Sequence, residues 1–179
     1  LAHDRFGYLM ELNAHGPIRV IEALVGNVEA GRQKKILAVS SLAGSFGTMG
    51  GGMPGGYWYK ASKAALNMIM LSLSQDLKPR GIVVACLSPG QVDTQGYAAR
   101  GITMPGMVDI KVSVGGMRKV IDGLTPAQSG TFIRYGGENA SNYHNEEFDQ
   151  LYVRMRALPN GAERQRLIDR MVESVRRDS

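Results

Sequence analysis

The residues with the clearest chemical potential lie in the segment Tyr59-Lys60-Ala61-Ser62-Lys63. On a helix, residues four apart share a face, so the phenol of Tyr59 and the ammonium of Lys63 would lie together. A cation held beside a phenol favours the phenolate over the neutral phenol. The spacing therefore predicts that Tyr59 acts as a general acid and base near neutral pH. Taken alone, the pair is more typical of a helix surface than of a catalytic site, so its meaning depends on the surrounding sequence.

Short apolar runs and longer amphipathic stretches indicate the elements that would position this pair. Residues 36–39 and 82–87 are nearly continuous apolar runs, which are typical of strands covered on both faces. Residues 130–133 predict a third short strand. Apolar residues at helical spacing predict three helices, over residues 6–30, 59–77 and 114–124. Strands that alternate with helices indicate parallel pairing, so the predicted class is α/β.

Three breaks in this pattern also carry predictions. Pro17 should bend the first helix or open its second segment, because proline lacks the N–H that a helix interior needs. Residues 44–56 contain too many glycines to form regular structure. Residues 95–112 predict an irregular surface segment.

The ends of the first two predicted strands carry polar groups and a tight turn. Ser41 follows the first strand, and the Pro89-Gly90 turn follows the second. In parallel sheets, ligands bind beyond the carboxyl ends of the strands. Tyr59 begins the helix that leaves the first strand. The sequence therefore places a hydroxyl, a phenol, an ammonium and a tight turn around one crevice.

The composition excludes several classes of protein. With 179 residues, 44% hydrophobic and 21% charged, the chain is long enough for a globular core. The net charge of +5 is scattered, which indicates a solvated surface and not a nucleic-acid-binding one. No apolar run reaches the roughly 20 residues of a membrane span. Cys86 is the single cysteine, and no metal site is predicted. The N-terminus lacks the apolar core of a signal peptide, so a cytoplasmic location is expected.

Three segments together resemble the short-chain dehydrogenase/reductase family: residues 36–44, residues 59–63 and residues 88–94. Over about residues 6–138, the chain is most similar to sniffer-type carbonyl reductases and the C-factor group. The resemblance implies an incomplete doubly wound, Rossmann-like parallel sheet. It also implies NAD(P)H-dependent reduction of a small carbonyl compound, or the reverse oxidation of an alcohol. NADP is slightly favoured over NAD, and family members often form homo-oligomers through the helix that follows the catalytic tyrosine.

The family's functional residues map onto matching positions here. Tyr59 is implied to be the catalytic acid and base, with Lys63 lowering the cost of its ionisation and holding the nicotinamide ribose. Ser41 is implied to hydrogen-bond the substrate oxygen, and it is preferred to Ser40 because it directly precedes the Leu-Ala-Gly turn. Asn13 matches the helix asparagine that supports a proton-relay water. Four residues match the turn that touches the nicotinamide end of the cofactor: Pro89, Gly90, Val92 and Thr94.

The chain departs from the family pattern in its first residues and in one spacing. The strand, Gly-rich turn and helix that bind the pyrophosphate are absent, because only twelve residues precede Asn13. The chain is therefore interpreted as part of a truncated enzyme, which by itself would bind dinucleotide weakly and be inactive. The missing strands would leave residues 36–39 as an open sheet edge. The step of eighteen residues from Ser41 to Tyr59 is about five longer than is common, which a Gly-rich loop can absorb.

The last forty residues have a different character. All seven lysines and 22 of the 23 glycines lie before Asn139, so the predicted domains are residues 1–138 and 139–179. Apolar residues at helical spacing on both sides of residues 159–161 predict a helical hairpin. Residues 142–149 and 160–165 resemble a segment of family-5 extracellular solute-binding proteins.

Two alternatives to an oxidoreductase follow from these observations. A solute-binding protein of a peptide transporter would account for the tail only, and it predicts an exported precursor. A dehydrogenase fold that serves as a non-catalytic interaction module would account for the first domain. Such a module would dimerise without turnover, so catalytic turnover separates it from an enzyme.

Overall fold

The computed structural model describes residues 3–46, 54–94, 101, 106–140, 150–151, 154–155 and 158–177. The chain divides into two compact units, Leu1–Ser141 and Asn142–Ser179. The division falls close to the domain boundary expected at Asn139. Among the described residues, no helix is long and apolar enough to cross a lipid bilayer.

The first unit begins with three consecutive helical segments. Helix α1 spans Asp4–Met10, a π-helical turn spans Glu11–His15, and helix α2 spans Gly16–Ala30. Pro17 lies in the first turn of α2, where its missing N–H costs least. Pro17 therefore opens the second segment, as predicted. The π-helical turn was not predicted, and such turns occur frequently at functional sites.

Five strands and two further α-helices follow in the described part of the first unit. In chain order they are β1 (Lys35–Val39), α3 (Tyr57–Asp76), β2 (Val83–Ser88), β3 (Gln91–Val92), β4 (Met107–Val108), α4 (Ile110–Gly123) and β5 (Phe132–Arg134). Strands β1, β2 and β5 form a parallel sheet in the order β1-β2-β5. Strands β3 and β4 form a separate parallel pair. The predicted α/β class with a parallel sheet is confirmed.

Apolar side chains cover both faces of the central strand β2. Val84 and Cys86 pack into one cluster with Leu66 and Met70 of α3. Val83, Ala85 and Leu87, the alternate residues of the strand, belong to a second cluster with residues of α4. This alternation follows from the strand period of two. Helix α3 therefore lies on one face of the sheet and α4 on the other.

The expectation that β1 is covered on both faces is confirmed only in part, because Ile36 and Ala38 pack into the cluster with α3 and Leu37 packs against the cluster with α4. Ile36 is its one buried residue, and Val39 is 58% exposed. Among the described residues, β1 has a hydrogen-bonded neighbour on one side only, because it lies at the edge of the sheet. A continuous apolar run thus identified the strand correctly but not its surroundings.

Two predicted irregular segments are described only in part. Residues 47–53 of the Gly-rich segment lie outside the described residues, and a short 3-10 turn, Leu42–Gly44, opens this segment. Residues 95–100 and 102–105 of the second segment also lie outside the described residues. Its last part contains β4 and the start of α4, so the predicted irregular segment is too long.

The second unit contains helix α5, Ala162–Arg177. Leu151, Leu167 and Met171 form its buried cluster, and Met155 and Leu158 pack against them. These five residues are among the apolar residues on the two sides of residues 159–161 that predicted a helical hairpin, one stripe on each side. Phe148, which belongs to the first stripe, lies outside the described residues.

Candidate active site

Tyr59 and Lys63 lie in the first turns of α3, which begins two residues before the predicted start. The Lys63 Nζ is 5.9 Å from the centroid of the Tyr59 ring, within the range of a cation–π contact. The same Nζ donates a hydrogen bond to the carbonyl oxygen of Val39 at 3.2 Å. The ammonium is therefore held between the phenol ring and the carboxyl end of β1.

Burial changes the acidity of two groups in this region. Burial lowers the pKa of Lys63 below its ordinary value, and the nearby Cys86 opposes that shift. Burial also raises the pKa of the Cys86 thiol to about 12, against a smaller opposite effect of Lys63. The thiol is therefore neutral at physiological pH. Neutral buried thiols behave as small apolar side chains and not as nucleophiles.

The two serines that follow β1 have different surroundings. Ser40 is 3% exposed, and its Oγ donates to Asn67 Oδ1 at 2.6 Å. Ser41 is half-buried, and its Oγ accepts from the backbone N–H of Ala43 at 3.2 Å. Within the part of the chain that the structure describes, no acceptor takes the Ser41 hydroxyl proton. Ser41 therefore has a proton that it can donate to a ligand, whereas the proton of Ser40 is already used.

Two residues that the sequence did not single out hold this serine segment against α3. Asn67 accepts from Ser40 and donates from Nδ2 to the carbonyl of Gly44 at 3.2 Å. A Cβ built on Gly44 would lie 2.6 Å from the backbone carbon of Lys63. Only glycine allows the loop to approach α3 so closely. Gly44 is part of the family motif at residues 36–44, but the tertiary structure alone shows why a glycine is needed there.

Asn13 lies in the π-helical turn and faces α3. Its Nδ2 donates to Ser62 Oγ at 3.1 Å, and Ser62 Oγ donates to the carbonyl of Tyr59 at 2.8 Å. Asn13, Val39 and Lys63 also line one open groove of about 550 Å³ between α2 and β1. The structure thus brings Asn13 together with Tyr59 and Lys63. Its predicted role in a water relay stays a prediction.

The Pro89-Gly90 turn follows β2 and is held from two sides. The hydroxyl of Ser113, in the first turn of α4, donates to the carbonyl of Pro89 at 2.7 Å. Gly90 has a φ of +78°, and a Cβ on it would lie 2.9 Å from the ring of Tyr135. No local pattern pointed to Ser113 or Tyr135, because each lies more than twenty residues from the turn.

The residues after the turn are placed by β3. Val92 pairs with Val108 of β4, and the N–H of Thr94 donates to the carbonyl of Val92 at 2.9 Å. Among the residues that the structure describes, no group of three or more His, Cys, Asp or Glu side chains is arranged to hold a metal ion.

Ser41 and the Pro89-Gly90 turn lie together at the carboxyl ends of the paired strands. Val39 and Leu87 are paired in register near the carboxyl ends of β1 and β2. The N–H of Ser40 donates to the carbonyl of Leu87 at 2.7 Å, which continues this pairing. Ser41 and the Pro89-Gly90 turn therefore leave the sheet side by side. The predicted convergence of strand ends is present, although the roles of the individual residues stay predictions.

Comparison with known proteins gives the family. The model of the short chain dehydrogenase family matches residues 1–103, so the chain belongs to that family. The C-signal protein of Myxococcus xanthus is 41% identical over 126 residues, which cover 70% of this chain and 72% of C-signal.

Two solved structures of carbonyl reductases are similar in fold. The NADPH-bound carbonyl reductase from chicken fatty liver superposes with a TM-score of 0.69 at 28% identity. The carbonyl reductase Sniffer of D. melanogaster superposes with a TM-score of 0.68 at 28% identity. Each match covers 79% of this chain and 59% of the other, so the chain spans less than two thirds of either reductase. The family match ends at residue 103, and these relatives give no support to the resemblance predicted for residues 142–149 and 160–165.

Proposed function

We propose that this chain carries the acid–base site of an NAD(P)H-dependent carbonyl reductase. The observation that carries the proposal is the position of the Lys63 ammonium, between the Tyr59 ring and the carbonyl of Val39. This position is at the carboxyl end of a parallel strand, where ligands of such sheets bind. Membership of the short chain dehydrogenase family supports the same reaction class.

Each residue of the site would have one task during reduction of the carbonyl. Reduced nicotinamide, when bound, supplies the hydride that adds to the carbonyl carbon. Tyr59 gives its phenolic proton to the carbonyl oxygen, so that the product is a neutral alcohol. Ser41 donates a hydrogen bond to the same oxygen and stabilises the charge that develops on it. Lys63 stabilises the phenolate that Tyr59 leaves, and Asn13 supports the return of a proton. Alcohol oxidation uses the same groups in reverse.

The residues present fit the nicotinamide end of such a cofactor. A lysine ammonium has three donors, and one of them binds Val39, so two remain for ribose hydroxyls. We assign the rest of the contact to Tyr59 and to the turn residues Pro89, Gly90, Val92 and Thr94. NADP is favoured over NAD, because the similar reductase from chicken fatty liver is NADPH-bound.

The experiment is an assay of the natural protein that contains this chain, with NADPH or NADH and a panel of aromatic aldehydes and quinones. We expect Tyr59→Phe to lower kcat/KM at least about 100-fold, because it removes the proton donor. Tyr57→Phe is the matched control, since Tyr57 lies on the same helical turn with Ala61 four residues beyond it. Full activity of the Tyr59→Phe variant, or an equal loss in both variants, would contradict the proposal. A protein without turnover on any probe would support the interaction module instead.

Two further parts of the proposal concern the whole protein. We infer a cytoplasmic location, which cell fractionation tests. We also infer self-association through α3, where Met68 and Leu71 are exposed. Light scattering at several concentrations tests this, and a monomer at all of them would contradict it. The comparisons give no support to a solute-binding function.

A further inference from the structure

A fully buried hydroxyl lies between the catalytic helix and the π-helical turn. Ser62 is 0% exposed and directly precedes Lys63. Its Oγ accepts from Asn13 Nδ2 at 3.1 Å and donates to the carbonyl of Tyr59 at 2.8 Å. One side chain therefore joins a residue of the π-helical turn to the backbone of the residue proposed as the proton donor.

The two bonds use both the donor and the acceptor of the Ser62 hydroxyl. A hydroxyl has one proton to donate and can accept from other donors. Ser62 gives its proton to a carbonyl of its own helix and receives the Asn13 amide, which lies 49 residues away in the chain. Buried polar groups cost free energy unless they are paired, and here the hydroxyl is paired in both capacities.

A serine is not what the helix alone would favour at this position. Alanine forms helices better, and a serine that bonds back to its own helix slightly weakens that helix. Ser74, three turns later on α3, is also buried and makes the same kind of bond, to the carbonyl of Leu71 at 2.6 Å. Among the described residues, Ser74 receives no side-chain donor from another element. The bond from Asn13 therefore distinguishes Ser62 from a serine that only satisfies itself.

We propose that Ser62 is a positioning residue that fixes the first turns of α3 against the π-helical turn and so sets the place of Tyr59 and Lys63. This inference rests on the proposed acid–base function of Tyr59. The bridge holds the carbonyl of Tyr59 on one side of Ser62. On the other side, Lys63 binds the carbonyl of Val39 at the end of β1. The helical turn is thus fixed against two separate elements, and its side chains keep one position relative to the strand end.

The first test measures whether the two residues act together in folding. Urea unfolding of the chain is followed by the fluorescence of Trp58, the single tryptophan, for Asn13→Ala, Ser62→Ala and the double variant. We expect each single change to lower the folded-to-unfolded ratio about tenfold, and the double variant to lower it little further. Losses that simply multiply in the double variant would overturn the bridge. If Ser62→Ala does not fold, Asn13→Ala and Asn13→Asp are compared instead. Both substitutions remove the amide donor, so both should weaken folding. Unchanged stability in either variant would overturn the bridge.

The second test measures catalysis and separates this inference from the proposed function. We expect Ser62→Ala to lower kcat about tenfold and also to raise the KM for NADPH, because Ser62 sets the place of Tyr59, which donates the proton, and of Lys63, which holds the ribose. Ser62→Cys keeps a weaker donor and acceptor, so its kcat should lie between that of the unaltered protein and that of Ser62→Ala. Ser74→Ala is the control and should keep the kcat of the unaltered protein.

The comparison with Tyr59→Phe gives each result one meaning. If Tyr59→Phe loses activity while Ser62→Ala behaves as Ser74→Ala does, the positioning role is overturned and the proposed function stands. If Tyr59→Phe keeps its activity, the proposed function fails. The positioning of a catalytic Tyr59 then fails with it, whatever the unfolding measurements show.

Discussion

Strands β1 and β2 are paired in register and have similar apolar sequences, but their surroundings differ. All six residues of β2 are buried, between α3 on one face and α4 on the other. In β1 only Ile36 is buried, and Val39 is more than half exposed. Strand β2 has neighbours on both sides, whereas β1 lies at one edge of the described sheet. Edge position alone does not explain the exposure of β1, because Phe132 and Ile133 of β5, at the other edge, are buried. An apolar run thus indicates a strand, while the elements packed against it decide how much of it is covered.

The carboxyl ends of the two strands are also held differently. The end of β1 is joined to α3 by polar bonds, from Ser40 to Asn67 and from Lys63 to Val39. The end of β2 is held by Ser113 and by the packing of Tyr135 against Gly90. The proposed proton donor therefore depends on one helix, and the proposed cofactor turn depends on different elements. Substitutions should affect the two ends separately.

The largest effect is expected from the glycines that follow the two strands. A Cβ on Gly44 would meet rigid backbone of α3 at 2.6 Å, so Gly44→Ala should cost about 3 kcal/mol of unfolding free energy. Gly90→Ala meets a ring that can rotate and a left-handed φ, and it should cost about 1–2 kcal/mol. Urea unfolding followed by Trp58 fluorescence measures both. Equal costs would show that the two ends are equally constrained.

An effect of similar size is expected from the Cys86 thiol of β2 at high pH. Its pKa is raised from 9.0 to about 12 in the folded protein, so the folded state keeps a proton that the unfolded state loses. Stability from this group is therefore complete below pH 9 and declines as the pH rises toward 12. Between pH 9 and pH 11, the unaltered protein should lose about 2–3 kcal/mol more than Cys86→Ala does.

Urea unfolding followed by circular dichroism at pH 7, 9, 10 and 11 measures this difference. Cys86→Ala has its own cost at neutral pH, so the slope with pH is compared and not the absolute stability. Parallel slopes for the two proteins would mean that the thiol ionises as easily in the folded state as in the unfolded state. The central strand would then be more accessible to water than its burial indicates.

The smallest effect compares one valine from each strand. Val84 of β2 is 0% exposed, and Val84→Ala should cost about 2 kcal/mol through lost burial and the cavity that remains. Val39 of β1 is 58% exposed, and Val39→Ala should cost less than about 0.5 kcal/mol. The same valine-to-alanine change in the two strands thus measures how much more deeply β2 is buried than β1. A comparable loss at Val39 would show that another surface covers the edge strand in solution.

Local spacing was sufficient to predict the parts of the site that depend on one element. Tyr59 and Lys63 share a face because a helix repeats every 3.6 residues, wherever the helix lies. Ser41 and the Pro89-Gly90 turn follow apolar runs, and the alternation of strands with helices places both at one edge of the sheet. The family motifs depend on the same local patterns. The class and the three strands of the main sheet could therefore be identified before any contact was known, whereas the roles of the predicted site residues stay predictions.

The supporting residues could not be identified in that way. Ser62 binds a residue 49 positions away, Asn67 binds residues more than twenty positions away, and Ser113 binds a turn 24 positions away. No rule of local spacing links such partners, because the chain between them can have any length that closes the fold. The need for glycine at position 44 is equally non-local, since it depends on the backbone of α3.

The sequence by itself determined the three strands of the main sheet, their parallel pairing and the chemical types that follow the strand ends, because these depend on periodicity and covalent geometry. Only the tertiary structure decided how little of β1 is buried, and that the Ser40 proton is taken by Asn67 while no described residue takes the proton of Ser41. Only the tertiary structure showed that Ser62 joins the π-helical turn to α3. Burial and hydrogen-bond partnership are properties of packed surfaces, and a surface is defined only when distant segments meet.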